Sequence, residues 1–73
     1  MWKFRISLVH KGEEIYIGRE QHALSYNGAI RKAKRIAKSF PDCYVEIMPI
    51  QSMDWDDARI VDFCEEEKRY III

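Results

Sequence analysis

Seventy-three residues leave room for one domain, residues 1–73, and a chain this short buries only about 60% of its unfolded surface. With 48% hydrophobic and 33% charged residues it is a folding chain, not a disordered one; two cysteines exclude a disulfide-built mini-domain, and no apolar run approaches membrane-spanning length. The formal net charge of zero hides a dipole: residues 1–40 hold nine Lys/Arg against three Glu, and residues 41–73 hold three against nine acidic side chains.

Trp2, Phe4, Ile6 and Leu8 alternate with Lys3, Arg5 and Ser7, and a period of two predicts a half-buried strand. His10 to Glu13 reads as a turn, with Gly12 free to take a positive φ. Ile15–Ile17 is then a second short strand, and residues 2–17 form a hairpin. Ile15 and Ile17 are expected to share the face of Phe4 and Ile6, with Tyr16 on the other. Ser25 can cap the helix that follows. On a helical wheel Tyr26, Ala29, Ile30, Ala33, Ile36, Ala37 and Phe40 fall in one arc of roughly 120°, and Arg31, Lys32, Lys34, Arg35 and Lys38 fill the opposite arc. Pro41 stops this helix, and its alanine stripe suits close packing on a sheet.

Cys43, Val45 and Ile47 alternate with Tyr44, Glu46 and Met48 as a third strand, which Pro49 ends or places at an edge. Gln51 to Asp57 is an acidic loop around Trp55. The last segment is ambiguous. Asp56-Asp57 early and Lys68-Arg69 late suit a helix dipole, but Ile60-Val61, Phe63 and the run Tyr70 to Ile73 are strand formers. A second hairpin is expected, with strands near 59–64 and 68–73 turning through Glu65-Glu66-Glu67, although that turn has no Gly or Asn. The expected fold class is α+β: a four- or five-stranded antiparallel sheet with one amphipathic helix on one face, in the order ββαβββ.

No catalytic signature appears: there is no phosphate loop, no Cys-x-x-Cys, no His-x-x-x-His and no G-x-S-x-G. No catalytic residue, metal site or cofactor is therefore expected. His10, His22, Cys43 and Cys64 have the wrong spacing for a compact zinc site, and read as two solvated histidines and two reduced thiols of a cytoplasmic protein. A bridge between Cys43 and Cys64 stays open, should they face each other on neighbouring strands. Asp54, Asp56 and Asp57 lack the length and central Gly of a calcium loop. Trp55 among them either tucks into the core or anchors a partner.

The helix cations are the leading binding candidates, because a surface helix normally mixes signs to gain i,i+4 pairs and this run contains no acid. The sheet face away from the helix offers Lys3, Arg5, Ser7, Tyr16, Tyr44, Glu46 and Met48, an aromatic-plus-cation composition that single-stranded nucleic acid can use, unless Lys3 or Arg5 pairs across strands with Glu46. The acidic segment with Glu65, Glu66 and Glu67 can mimic nucleic-acid charge, meet the basic helix of a second copy as a homodimer, or only solubilise an Ile-rich end.

The segment Leu24-Ser25-Tyr26-Asn27-Gly28-Ala29-Ile30-Arg31-Lys32-Ala33-Lys34-Arg35-Ile36-Ala37, followed by Val45-Glu46-Ile47 and a charged C-terminal hairpin, resembles the layout of some small phage anti-CRISPR proteins. The resemblance implies a single-helix antiparallel domain without enzymatic activity that binds a nucleic-acid-processing complex and blocks its access to DNA. It implies contact roles for Arg31, Lys34, Arg35 and Lys38. The acidic tail is not a required part of that pattern. The function expected on these grounds is a non-enzymatic inhibitor of nucleic-acid-handling machinery, with Trp55 and Glu65, Glu66 and Glu67 as further contacts. The alternatives are a direct DNA- or RNA-binding module using the basic helix, and a self-associating structural protein.

Overall fold

The computed structural model describes residues 2–52 and 54–73, and for Arg19 and Trp55 the backbone alone. Strands β1 (Phe4–His10), β2 (Ile15–Ala23), β3 (Cys43–Pro49), β4 (Arg59–Cys64) and β5 (Arg69–Ile72) form one sheet in the order β2-β1-β3-β4-β5. Every neighbouring pair is antiparallel. One helix, α1 (Tyr26–Ser39), lies between β2 and β3 in the chain, and a single 3₁₀ turn at Trp55–Asp57 precedes β4. The architecture is α+β in the order ββαβββ, as the alternation and the helix wheel require.

The sheet's two faces follow from register. Phe4, Ile6 and Leu8 on β1 lie level with Pro49, Ile47 and Val45 on β3, and Val45 lies level with Val61 on β4. Against these sit Ala29, Ala33 and Ala37 of α1, all essentially inaccessible to solvent. Small side chains let the helix backbone approach the sheet closely, and Ile6, Ala23, Val45, Ile47 and Val61 complete one continuous core. The Ser25 hydroxyl accepts the Gly28 N–H at 3.1 Å and caps the helix start, and Phe40 closes it ahead of Pro41.

One strand differs from the sequence reading. Strand β2 does not stop at Ile17 but runs on to Ala23. Gly18 takes φ +74°, and the residues after it bulge against Ser7, so pairing resumes with Ile6 opposite Gln21. The bulge keeps parity, and Ile15 and Ile17 share the helix side as expected. The expected C-terminal hairpin is present, with strands Arg59–Cys64 and Arg69–Ile72. It forms through Glu65–Lys68 without Gly or Asn because Lys68 itself adopts the left-handed conformation, φ 55°. Glu14 does the same, φ 58°, as the last residue of the four-residue turn joining β1 and β2.

Cys43 and Cys64 are both free. Cys43 is buried on the helix side level with His10, whereas Cys64 follows Phe63 and points to the opposite face. Strand alternation therefore separates the two thiols.

Candidate interaction surfaces

The outer face of α1 is cationic and has no counter-charge paired with it among the described residues. Among the described residues the ion pairs are Arg5–Glu20, Lys11–Asp62, His22–Glu20, Lys68–Glu65 and Arg69–Glu67, and none involves a helix cation. Three of the five cations are instead laid on aromatic rings. The Lys32 ammonium sits 5.6 Å from the Trp2 ring centroid, Lys34 sits 5.3 Å from Tyr70, and Lys38 sits 5.8 Å from Phe63. Lys32 also donates to the His22 carbonyl at 2.7 Å. Arg31 and Arg35 stay exposed between these flanks, beside the exposed Lys38. The helix thus presents Arg31, Lys34, Arg35 and Lys38 on one surface, with the lysine stems partly used to cover Phe63 and Tyr70.

The opposite sheet face has a different character from the one its composition suggests. The Tyr16 hydroxyl donates to Glu46 at 3.0 Å, and the Tyr44 hydroxyl donates to Glu14 at 2.6 Å. Glu46 is only 8% exposed at the middle of this uncovered face. Arg5 turns to Glu20 at 3.7 Å instead of to Glu46. Partial burial of its hydroxyl and the bond to Glu46 push the Tyr16 pKa up. The bond to Glu14, then burial, pushes Tyr44 up to about 12. Carboxylates thread this face and engage both tyrosine hydroxyls and Arg5.

The acidic turn is largely self-contained. Glu65 lies 3.8 Å from Lys68, and the Glu67 carboxylate takes Arg69 at 3.1 Å, which leaves Glu66 exposed without an ion pair among the described residues. The turn does not reach the helix cations. In the acidic loop, Asp57 accepts from the Ser52 hydroxyl and Asp54 accepts the Asp56 N–H at 3.0 Å, so these carboxylates shape the loop itself. The Trp55 side chain, a predicted anchor, lies outside the described residues. No group of three or more His, Cys, Asp or Glu side chains able to hold a metal occurs among the described residues. His10 ends β1 with a buried, unpaired Nδ1, and His22 lies on β2 beside Glu20, so neither is the freely solvated residue expected.

A surface that sequence reading missed lies at the end of the sheet away from the hairpin turns. There Trp2, Phe4, Tyr26 and Pro49 come together. The Lys3 N–H bonds the Ala23 carbonyl at 2.9 Å, and the Ile50 N–H bonds the Lys3 carbonyl at 3.0 Å. The Phe4 and Tyr26 rings meet edge to face at 5.9 Å. The signal was invisible in one dimension, because Phe4 meets Tyr26 only through the pairing of Phe4 with Ala23, three residues before Tyr26. No known protein family, curated protein or solved structure matches this chain.

Proposed function

We propose that this protein is a small non-enzymatic binding protein, of the kind phage and other mobile elements use to inhibit nucleic-acid-handling machinery in the host cytoplasm. The observation that carries the reading is the cationic face of α1, whose five Lys and Arg side chains have no ion-pair partner among the described residues. A surface helix with no acid gains nothing from i,i+4 pairing and repels itself, so such a face is suited to a polyanionic or acidic partner. Arg31 and Arg35 are the central contacts, with Lys34 and Lys38 beside them and Glu65, Glu66 and Glu67 as a separate charged patch at the sheet's end. The test is capture from cells that carry the gene, followed by mass spectrometry. Wild-type protein retains a nucleic-acid-processing complex, and the variant Arg31→Ala/Lys34→Ala/Arg35→Ala/Lys38→Ala releases it. Equal recovery by both proteins removes the helix face from the reading.

A second reading, direct binding of DNA or RNA, is favoured by one further observation: Lys32 lies on Trp2, so cations and an exposed aromatic ring adjoin. Its mark is a steep fall of affinity with salt, and each cation removed from α1 lowers the salt slope by about one unit.

A further inference from the structure

Two adjoining cavities open at the aromatic end of the sheet, and they share Phe4 and Pro49. One, of about 410 Å³, has Ile47 as its buried floor, Phe4, Tyr26 and Pro49 as walls, and Asp57 and Arg59 at its mouth. The other, of about 310 Å³, is bounded by Trp2, Lys3, Phe4, Pro49 and Gln51. Sites for small planar ligands have this make-up, apolar walls with a few convergent polar groups. The walls are not sealed: Trp2 is 53% and Tyr26 42% exposed. Large rings left half in solvent beside a cavity are the composition of a recognition surface.

The polar groups at the mouth are complementary to a base edge. Asp57, whose Oδ2 takes the Ser52 hydroxyl, keeps Oδ1 as a carboxylate acceptor. Arg59 spends Nη1 on the Asp56 and Ala58 carbonyls, at 3.1 and 2.9 Å, which fixes the guanidinium and leaves its other N–H groups to donate. Cations border the same end. Lys3 lines the smaller cavity, and Lys32, on the Trp2 ring, leads along α1 to the exposed Arg31 and Arg35. Rings that accept stacked bases, a donor and an acceptor for a base edge, and cations for adjoining phosphates thus meet through the shared Phe4 and Pro49 and through the Lys32–Trp2 contact.

We propose that this end of the molecule takes unstacked bases of a single-stranded nucleic acid, one in the cavity of Phe4 and Tyr26 and a neighbour in the cavity of Phe4 and Trp2, with the adjoining phosphates on Lys32, Arg31 and Arg35. The inference rests on the nucleic-acid reading of the helix face and adds to it a preference for single strands, because a base paired inside a duplex cannot reach these rings.

The experiment measures fluorescence anisotropy of a labelled oligothymidylate of about fifteen nucleotides, and of a duplex of the same length, at several salt concentrations. Wild-type protein binds the single strand at least about tenfold more tightly than the duplex. Trp2→Ala and Tyr26→Ala each weaken single-strand binding about tenfold with the salt slope unchanged, while Trp2→Phe and Tyr26→Phe, which keep a ring, bind as wild type. Arg31→Ala/Arg35→Ala weakens both ligands and lowers the slope by about two units. Equal affinity for strand and duplex, with Trp2→Ala and Tyr26→Ala unaffected, overturns the base site and leaves the helix reading standing. Absence of binding to either nucleic acid overturns both. Loss of a captured protein complex in Trp2→Ala or Tyr26→Ala, with oligonucleotide binding unchanged, overturns the base site in favour of a protein anchor.

Discussion

Tyr16 and Glu46 meet across an intervening strand: the hydroxyl on β2 donates to the carboxylate on β3 at 3.0 Å, above Ser7 and Val9 of β1. Tyr44 on β3 reaches back the other way to Glu14, just before β2. The two bonds tie edge strand β2 to the centre of the sheet on the face that no helix covers.

Both tyrosines therefore give a pH signature. A tyrosine whose folded pKa lies above its unfolded value of about 10 contributes stability below that pH and loses it as pH rises through the folded value. For Tyr44 the window runs from about 10 to about 12. Stability followed by urea unfolding is expected to decline across this window, and Tyr44→Phe is expected to flatten the decline. Ultraviolet titration of phenolate should show Tyr44 and Tyr16 ionising late. A Tyr44→Phe curve that overlays the wild type contradicts the Tyr44–Glu14 bond.

The helix-on-sheet contact is tested at Ala33, which is fully buried. Ala33→Lys overpacks the contact and buries an ammonium group, a cost of about 3 kcal/mol or more. In a domain of this size that lowers Tm by roughly 15 °C. A thermal melt within a few degrees of wild type is incompatible with the packing.

Two left-handed residues offer unequal outcomes. Lys68→Gly relieves the backbone cost of φ 55° and is expected to stabilise by about 0.5–1 kcal/mol, since its exposed contact with Glu65 is worth little. Glu14→Gly relieves a similar strain but removes the acceptor of Tyr44, so its gain is smaller. Calorimetry of the two variants should rank Lys68→Gly above Glu14→Gly.

Reversing Glu65, Glu66 and Glu67 to Lys is expected to leave the fold intact. It removes two exposed pairs worth about 0–1 kcal/mol each. Binding to a basic partner surface should weaken by tens-fold through lost steering and mispaired charge. If sedimentation and partner affinity are both unchanged, the turn serves solubility alone.

The cysteines should differ in reactivity. Cys64 is half-buried and Cys43 is 5% exposed beneath the helix side, so a maleimide is expected to label Cys64 first under native conditions. Both should label after denaturation without reductant. A single bridged species would contradict their placement on opposite faces.

Local pattern determined much of this fold. Alternation assigned Phe4, Ile6, Val45 and Ile47 to one face, and the 3.6-residue period assigned Ala29, Ala33 and Ala37 to the contact with it, because burial selects a side chain's direction from spacing alone. The sign segregation of α1 was equally plain, since it lies within fourteen contiguous residues. What needed the tertiary structure was every relation between distant segments. The bulge after Gly18 carries β2 past its predicted end, and left-handed Lys68 closes a turn that lacks the usual residues, both through backbone angles that propensity only weakly specifies. The open face became acidic when Glu14, Glu20 and Glu46 converged on Tyr44, Arg5 and Tyr16, and the aromatic end formed when strand pairing set Phe4 beside Ala23. Such neighbourhoods depend on register between strands, which a residue's own sequence context does not encode.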